Sequence, residues 1–384
     1  MTAGSTDIPV ERLDVHAFTV PTDGPEGAEE DGTLRWDSTT MVLVLAHGGG
    51  LTGLGYTYGE KAAARFVEDK LAPVVRGRDA LTPAASCHAM FHTIRNAGRP
   101  GLGAMAVSAV DIALWDLSAR LLDVSLAQRL PARHVRVPVY GSGGFTNYPL
   151  DRLTGQLAHW VEQGIPRVKL KTGRSPDEDP RRLTELRRAV GDDAEVFTDA
   201  NGALTVKQAQ YWARRYHEEW DVRWFEEPVS SADLEGLRRV RDRAPAPLEV
   251  AAGEYGFVLR DFTNLLDHGA VDCLQADVTR CGGITGLLSV AGLASARQID
   301  LSAHCAPAVS AHAFCAVERL RHLEYFHDHT RVENLLFDGV LSPEDGALRP
   351  DPGRPGLGLA VKWPDAEPYR VHGSTPSPEH ARLS

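Results

Sequence analysis

The chain has 384 residues, 43% of them hydrophobic and 24% charged, with a formal net charge of −11 from 41 basic and 52 acidic side chains. That length accommodates a barrel of about 200–250 residues and a smaller domain. The acidic balance, with no basic stripe, argues against a nucleic-acid partner, and no apolar run reaches the ~18 residues of a membrane span.

Residues 1–11 lack the basic start and apolar core of a secretory signal. Segments 12–20, 37–47 and 53–58 read as three strands of an antiparallel meander. The acidic, Gly/Pro-rich stretch 21–32 between the first two reads as a mobile loop. Glycines 48–50, 53 and 55 suggest a second flexible lid segment at 47–55. Helical patterns follow at 60–75, 83–96 and 105–122; in the last, Ala109, Ala113, Leu117 and Leu121 form one apolar stripe. Strands before helices make an α+β cap over residues 1–130. From 131 the texture changes. A strand at 136–140 opens a series in which helices at 150–163, 179–190, 205–219, 232–243, 259–268, 283–297 and 307–319 alternate with short apolar strands. Gly164, Gly191 and Gly269 stand just past helix ends, where left-handed backbone is needed. The predicted barrel covers 131–330, and 331–384 is a tail returning to the cap. Its Pro/Gly-rich part, 350–384, reads as an extended wrap or a partly disordered end. Cys87, Cys273, Cys281, Cys305 and Cys315 form no C-x-x-C pair; the odd count reads as reduced, buried thiols of a cytoplasmic protein.

The barrel strands each end in an acid or a base: Lys171, Asp199, Glu226, Glu254, Asp277, His304 and Glu324. The tips are 28, 27, 28, 23, 27 and 20 residues apart, the length of a strand–helix unit. Buried parallel strands with polar C-terminal tips describe the catalytic face of a β/α barrel. Asp199, Glu226 and Glu254 end three successive strands. Converging carboxylates repel unless a cation neutralises them, and three hard oxygen donors suit Mg²⁺. Lys169 and Lys171 alternate, so both face the interior. Mutual repulsion and a nearby metal are expected to lower the pKa of one, making it a usable base. Asp277 beside His304 fixes the imidazole tautomer and raises its pKa. Glu324 donates a hydrogen bond to a substrate oxygen if its own pKa is raised. His312, His322, His327 and His329 lack such a setting and read as structural.

Motifs run in order along the chain: Lys169-Leu-Lys171, Asp199-Ala-Asn201-Gly202, Phe225-Glu226-Glu227-Pro228, Ala252-Gly253-Glu254, Asp277 ahead of Gly282-Gly283-Ile284-Thr285, Ser302-Ala303-His304 and Leu323-Glu324. The stretch Ala109-Val-Asp-Ile-Ala-Leu-Trp-Asp116 accompanies them in the cap. Together they resemble the mandelate racemase branch of the enolase superfamily over residues 10–365. The resemblance implies an α+β cap over a modified (β/α)₇β barrel, a small-molecule carboxylate substrate and a homo-oligomer. It implies abstraction of the proton α to a carboxylate, with Mg²⁺ on Asp199, Glu226 and Glu254 stabilising the enediolate. Muconate cycloisomerase and dipeptide epimerase types place a Lys where this chain has Asp277. Galactonate and mannonate dehydratase types carry a His where it has Asn201. Leu130-Pro-Ala-Arg133 replaces a common Leu-Gly-Gly turn at the barrel bottom.

The expected roles are Lys171 and His304 as bases on opposite faces of the substrate carbon, Asp277 as the catalytic partner of His304, Asn201 as a substrate-binding group, and Lys169 and Glu324 as both catalytic and binding groups. Dehydration of a sugar acid to a 2-keto-3-deoxy acid is the leading expectation. Racemisation or epimerisation of a 2-hydroxy acid is the alternative, and a non-catalytic barrel is an alternative of another class.

Overall fold

Alternating aliphatic and β-branched residues lay the first strands side by side. In the computed structural model, which describes residues 7–373, β1 (Arg12–Pro21) and β2 (Ser38–Gly48) pair antiparallel with Val15 opposite Val44. Strand β3 (Leu51–Tyr58) continues the meander. Residues 1–6 and 374–384, the outer ends of the predicted cap and tail, lie outside the described residues. The predicted helix 60–75 is split into Ala62–Phe66, a π-helical turn Val67–Leu71, and Ala72–Val75. Pro73, which has no N–H to give, sits at the start of the third piece. Helix α1 (Pro83–Thr93) precedes α2 (Leu102–Leu121). The latter is long and apolar enough to cross a membrane by length and composition, but 83% of its apolar window is buried inside the molecule.

The glycines at 53 and 55 correct the expectation of a second lid. A Cβ on Gly53 would stand 2.2 Å from the Ala113 carbonyl oxygen, and one on Gly55 2.3 Å from that of Ala109. These residues are small so that β3 and the α2 backbone can touch. The hairpin turn beside them packs on Ile8, Pro9, Leu117 and Leu121, away from the barrel.

The barrel strands are β4 (Val137–Gly143), β5 (Arg167–Lys171), β6 (Glu195–Asp199), β7 (Val222–Glu226), β8 (Glu249–Ala252), β9 (Cys273–Ala276), β10 (Asp300–Ala303) and β11 (Leu320–Phe326). Each pairs parallel with the next, and β11 pairs with β4 to close an eight-strand ring. One helix follows each of β4 to β10, which is the (β/α)₇β arrangement. Helix α3 (Leu150–Glu162) follows β4, and α4 (Asp179–Val190) follows β5. Helix α5 (Val206–Trp220) starts in a capping box between Thr205 and Gln208. The predicted helix 307–319 ends early: α6 (Pro307–Ala313) passes into a 3₁₀ turn at Phe314–Ala316 before β11. Helix α7 (His327–Leu336) leads into the tail. The tail wraps the barrel and adds β12 (Arg370–His372) antiparallel to β1 in the cap sheet.

Loop 21–32, expected to be mobile, is docked on the barrel top. Thr146 N–H donates to the Glu30 carbonyl (2.8 Å), and Asn147 Nδ2 to that of Ala28 (2.9 Å). Arg174 Nε donates to the Asp31 carbonyl (3.1 Å). Asp23 Oδ1 receives Arg152 (2.9 Å) and His327 Nε2 (3.0 Å). A Cβ on Gly32 would stand 2.1 Å from the Ala200 carbonyl oxygen, so only glycine fits. The loop's acidity does not oppose docking, because burial lifts the Glu29 carboxyl to about 9, with nearby Asp328 adding to the shift. Tyr148 Oη donates to it at 2.8 Å.

Candidate active site at the barrel mouth

Lateral pairing assembles the site. Lys171 pairs with Asp199, and Asp199 with Glu226, so the three share one layer of the barrel interior. Beneath them Tyr140, Phe197, Trp224, Ala251 and Cys273 form an internal apolar plug. Strand alternation would turn Glu254 outward, since Ala251 faces the interior. Gly253 prevents this: its φ of +138° and the 2.1 Å approach to the Gln275 carbonyl that a Cβ would make admit glycine alone. Asp199, Glu226 and Glu254 are buried and offer oxygens within 4.8 Å of one another. Glu254 Oε2 has no hydrogen-bond partner among the described residues. This donor set fits a hard divalent cation.

Both lysines lie against the carboxylates. Lys169 Nζ is 2.6 Å from Glu226 Oε1, 2.8 Å from Glu324 Oε1 and 3.5 Å from Asp199 Oδ2. Lys171 Nζ donates to Asp199 Oδ2 at 2.5 Å. The expected lowering of a lysine pKa is not what this arrangement gives. Burial pushes both down, but Glu226 and Glu324 at Lys169, and Asp199 at Lys171, outweigh burial and hold both above the usual lysine value. Repulsion between the two ammonium groups is the smaller effect while the carboxylates carry full charge. Glu324, expected to donate if its pKa is raised, is shifted the other way in this metal-free arrangement. Burial raises it, but Lys169, His304 and Lys171 together hold it well below the usual carboxylate range. Its Oε1 accepts from Ser142 Oγ at 2.6 Å.

On the other side, His304 Nδ1 meets Asp277 Oδ2 at 2.8 Å. Asp277 Oδ1 is held by the Thr279 N–H and Oγ1, both at 2.7 Å. The second ring nitrogen faces Glu254 Oε2 at 3.3 Å and Glu324 Oε2 at 3.6 Å. Burial lowers the imidazole pKa, but the surrounding Cys305, Glu254, Glu324 and Asp277 raise it well above the ordinary value. Asn201 lies at the rim with φ +44°. Its N–H donates to Asp199 Oδ1 (2.8 Å) and its carbonyl receives Thr33 Oγ1 of the docked loop (3.2 Å). Its side-chain oxygen is buried without a hydrogen-bond partner among the described residues.

Sequence reasoning passed over three neighbours. Glu227 is buried, its Oε1 unpartnered among the described residues, and burial followed by the charges of Glu254, Asp199 and Glu226 raises its pKa well above the usual range. Arg280 donates to the Glu254 carbonyl (3.1 Å) and lies 3.5 Å from Asp277. Cys305 enters the site because its φ is +52°. Strand alternation alone would send it out, so only Glu227, inside a quoted motif, carried a sequence signal. The four histidines read as structural lie elsewhere: His322 in the barrel interior against Ser302, His312 in the core, His329 stacked on Tyr58, and His327 on the docked loop.

Residues 152–366 match the enolase C-terminal domain-like family, and residues 32–130 the N-terminal domain of the mandelate racemase/muconate lactonizing enzyme family. A mandelate racemase/muconate lactonizing enzyme-like protein from Rubrobacter xylanophilus superimposes with a TM-score of 0.92 at 62% identity, over 94% of this chain and 99% of that one. The 3,6-anhydro-α-L-galactonate cycloisomerase of Streptomyces coelicolor is 32% identical over 92% of this chain and 96% of its own length. The L-talarate/galactarate dehydratase of Salmonella typhimurium, solved with Mg and L-lyxarohydroxamate, superimposes with a TM-score of 0.87 at 27% identity, over 98% and 97% of the two chains. The chain belongs to the mandelate racemase/muconate lactonizing enzyme family of the enolase superfamily.

Proposed function

We propose that this chain is a Mg²⁺-dependent lyase that removes the proton α to the carboxylate of a sugar acid and expels the β-hydroxyl, giving a 2-keto-3-deoxy acid. The observation that carries the reading is the placement of the two candidate bases. Lys171 on β5 and His304 on β10 stand across the ring, three strands apart by the shorter way, with the carboxylate trio between them. Asp199, Glu226 and Glu254 would hold Mg²⁺, which supplies positive charge beside the substrate carboxylate and takes up the negative charge that now raises both lysines. Lys169, wedged between Glu226 and Glu324, orients the substrate carboxylate. Lys171, one pleat nearer the mouth, accepts the α-proton. His304, kept cationic by its carboxylate neighbours, hands its proton to the leaving hydroxyl, so one water is lost overall. Asn201 and the loop it touches contact the far end of the substrate.

A cycloisomerase or epimerase is the second reading, favoured by the similarity to the Streptomyces coelicolor cycloisomerase. Incubation of the Mg²⁺-loaded protein with a panel of sugar acids and lactones in deuterated water separates the two. A product lighter by one water supports the lyase. A product of unchanged composition supports an isomerase: deuterium at C2 marks an epimerase, and a ketone at C2 with deuterium at C3 marks a cycloisomerase that opens a ring by expelling the β-oxygen.

A further inference from the structure

The mouth of the barrel contains a second set of donors, chemically unlike the first. We propose that His304, Cys305 and Glu324 form a site for a thiophilic divalent ion such as Zn²⁺, and that its occupancy silences the enzyme by tying up His304. The inhibitory half rests on the reading of His304 as a proton donor; the binding half does not.

Consecutive residues on a strand point to opposite sides, so a His-Cys pair would not normally share a ligand. The left-handed backbone at Cys305 (φ +52°) turns its thiol back to the imidazole. Cys305 Sγ lies 3.3 Å from His304 Nε2 and 3.3 Å from Glu324 Oε2, and the nitrogen lies 3.6 Å from that oxygen. Tetrahedral Zn²⁺, with bonds of about 2.3 Å to sulfur and about 2.0–2.2 Å to nitrogen and oxygen, separates its ligand atoms by about 3.3–3.6 Å. The three atoms therefore already form one face of such a tetrahedron. Two of the three residues also have a fixed outer partner. His304 Nδ1 is held by Asp277, which leaves Nε2 as the ring's ligating nitrogen, an arrangement common around zinc. Glu324 is held through its other oxygen by Ser142 and Lys169. Glu254 Oε2, in a residue only 4% exposed, also faces this ring nitrogen, at 3.3 Å. Sulfur and imidazole select soft ions, whereas Asp199, Glu226 and Glu254 offer oxygen alone. The two sites thus sort cations by softness. Binding expels the thiol proton, and the Nε2 proton where one is held, to solvent.

The test uses full-length protein held in saturating Mg²⁺. Titration with Cd²⁺ should produce a thiolate-to-metal charge-transfer band of one-to-one stoichiometry, absent in Cys305→Ala and in Cys305→Ser. The other four cysteines remain as an internal background. Zn²⁺ should inhibit turnover, with its half-inhibitory concentration rising at least ~10–100-fold in either variant, each scored against its own uninhibited rate. Extra Mg²⁺ should not relieve the inhibition. A Cd²⁺ band that persists without Cys305 overturns the site. Inhibition that Mg²⁺ reverses overturns it as well, because the ion is then competing at the three carboxylates. A Cys305-dependent band with unimpaired turnover upholds the site and rejects the proton-donor reading of His304.

Discussion

At Lys171 the balance between one carboxylate and one neighbouring ammonium group decides what the side chain can do. Asp199, 2.5 Å away, keeps it cationic in the metal-free arrangement; a cation on the carboxylates removes that hold. Lys171→Ala should therefore cut α-proton exchange by about 10²–10⁴-fold, the usual worth of a general base. His304→Asn should stop product formation while α-proton exchange continues. Both are read by NMR of substrate recovered from deuterated buffer; exchange that survives Lys171→Ala and vanishes in His304→Asn would reverse the roles. The charged strand tips were legible in the sequence because a buried apolar strand ending in an ionisable residue is costly to keep without a purpose. The direction of the lysine pKa was not. It depends on distances across the ring, which no spacing along the chain contains. Cys305 was hidden for a related reason, since nothing in Ala303-His304-Cys305 announces a left-handed residue.

Elements set the precision of these groups. Strand β8 stops at Ala252 and Gly253 re-aims the chain, so Gly253→Ala should displace Glu254 without unfolding the barrel. Backbone strain of about 1–3 kcal/mol predicts Mg²⁺ binding weaker by about 10–100-fold in calorimetric titration, with an unchanged circular dichroism spectrum. Affinity equal to that of the unaltered protein would show that Glu254 is positioned by other means. Helix α7 joins cap to barrel through Glu333, which receives Tyr56 Oη (2.5 Å) and Tyr58 Oη (3.3 Å) from β3 and the Ala308 N–H (3.1 Å) from α6. Burial raises its pKa from 4.5 to about 8, against the pull of those hydrogen bonds. The folded state thus keeps a proton that the unfolded chain has released. This contribution is complete below about pH 4.5 and is lost as pH rises through about 8, with a slope of up to about 1.4 kcal/mol per pH unit. Glu333→Gln should flatten that slope in urea unfolding followed from about pH 5.5 to about pH 8.5, at a cost of about 1–3 kcal/mol for the Ala308 N–H it leaves unpaired. An unchanged slope would assign the pH dependence to another group.

For the molecule as a whole, the ring could be read from near-regular charged tips, and its shortest step, from His304 to Glu324, matches the seven-residue helix α6. The cap was harder to read. Glycine can mean freedom or contact, and at Gly32, Gly53 and Gly55 the structure uses it for contact. Docking of loop 21–32 depends on partners more than a hundred residues away, such as Arg152 and His327 on Asp23. Asp23→Ala should loosen that tie, raising KM several-fold with a smaller change in kcat. A loss confined to kcat would place Asp23 in the chemistry instead. The return of the tail to β1 has a further consequence. On the ribosome, β1 emerges early, while its outer neighbour β12 is made only after the entire barrel. Until β12 is made, β1 is therefore a bare strand edge, the kind of surface that recruits other chains. A stop between the barrel and β12 would leave that adhesive edge uncovered in the finished chain.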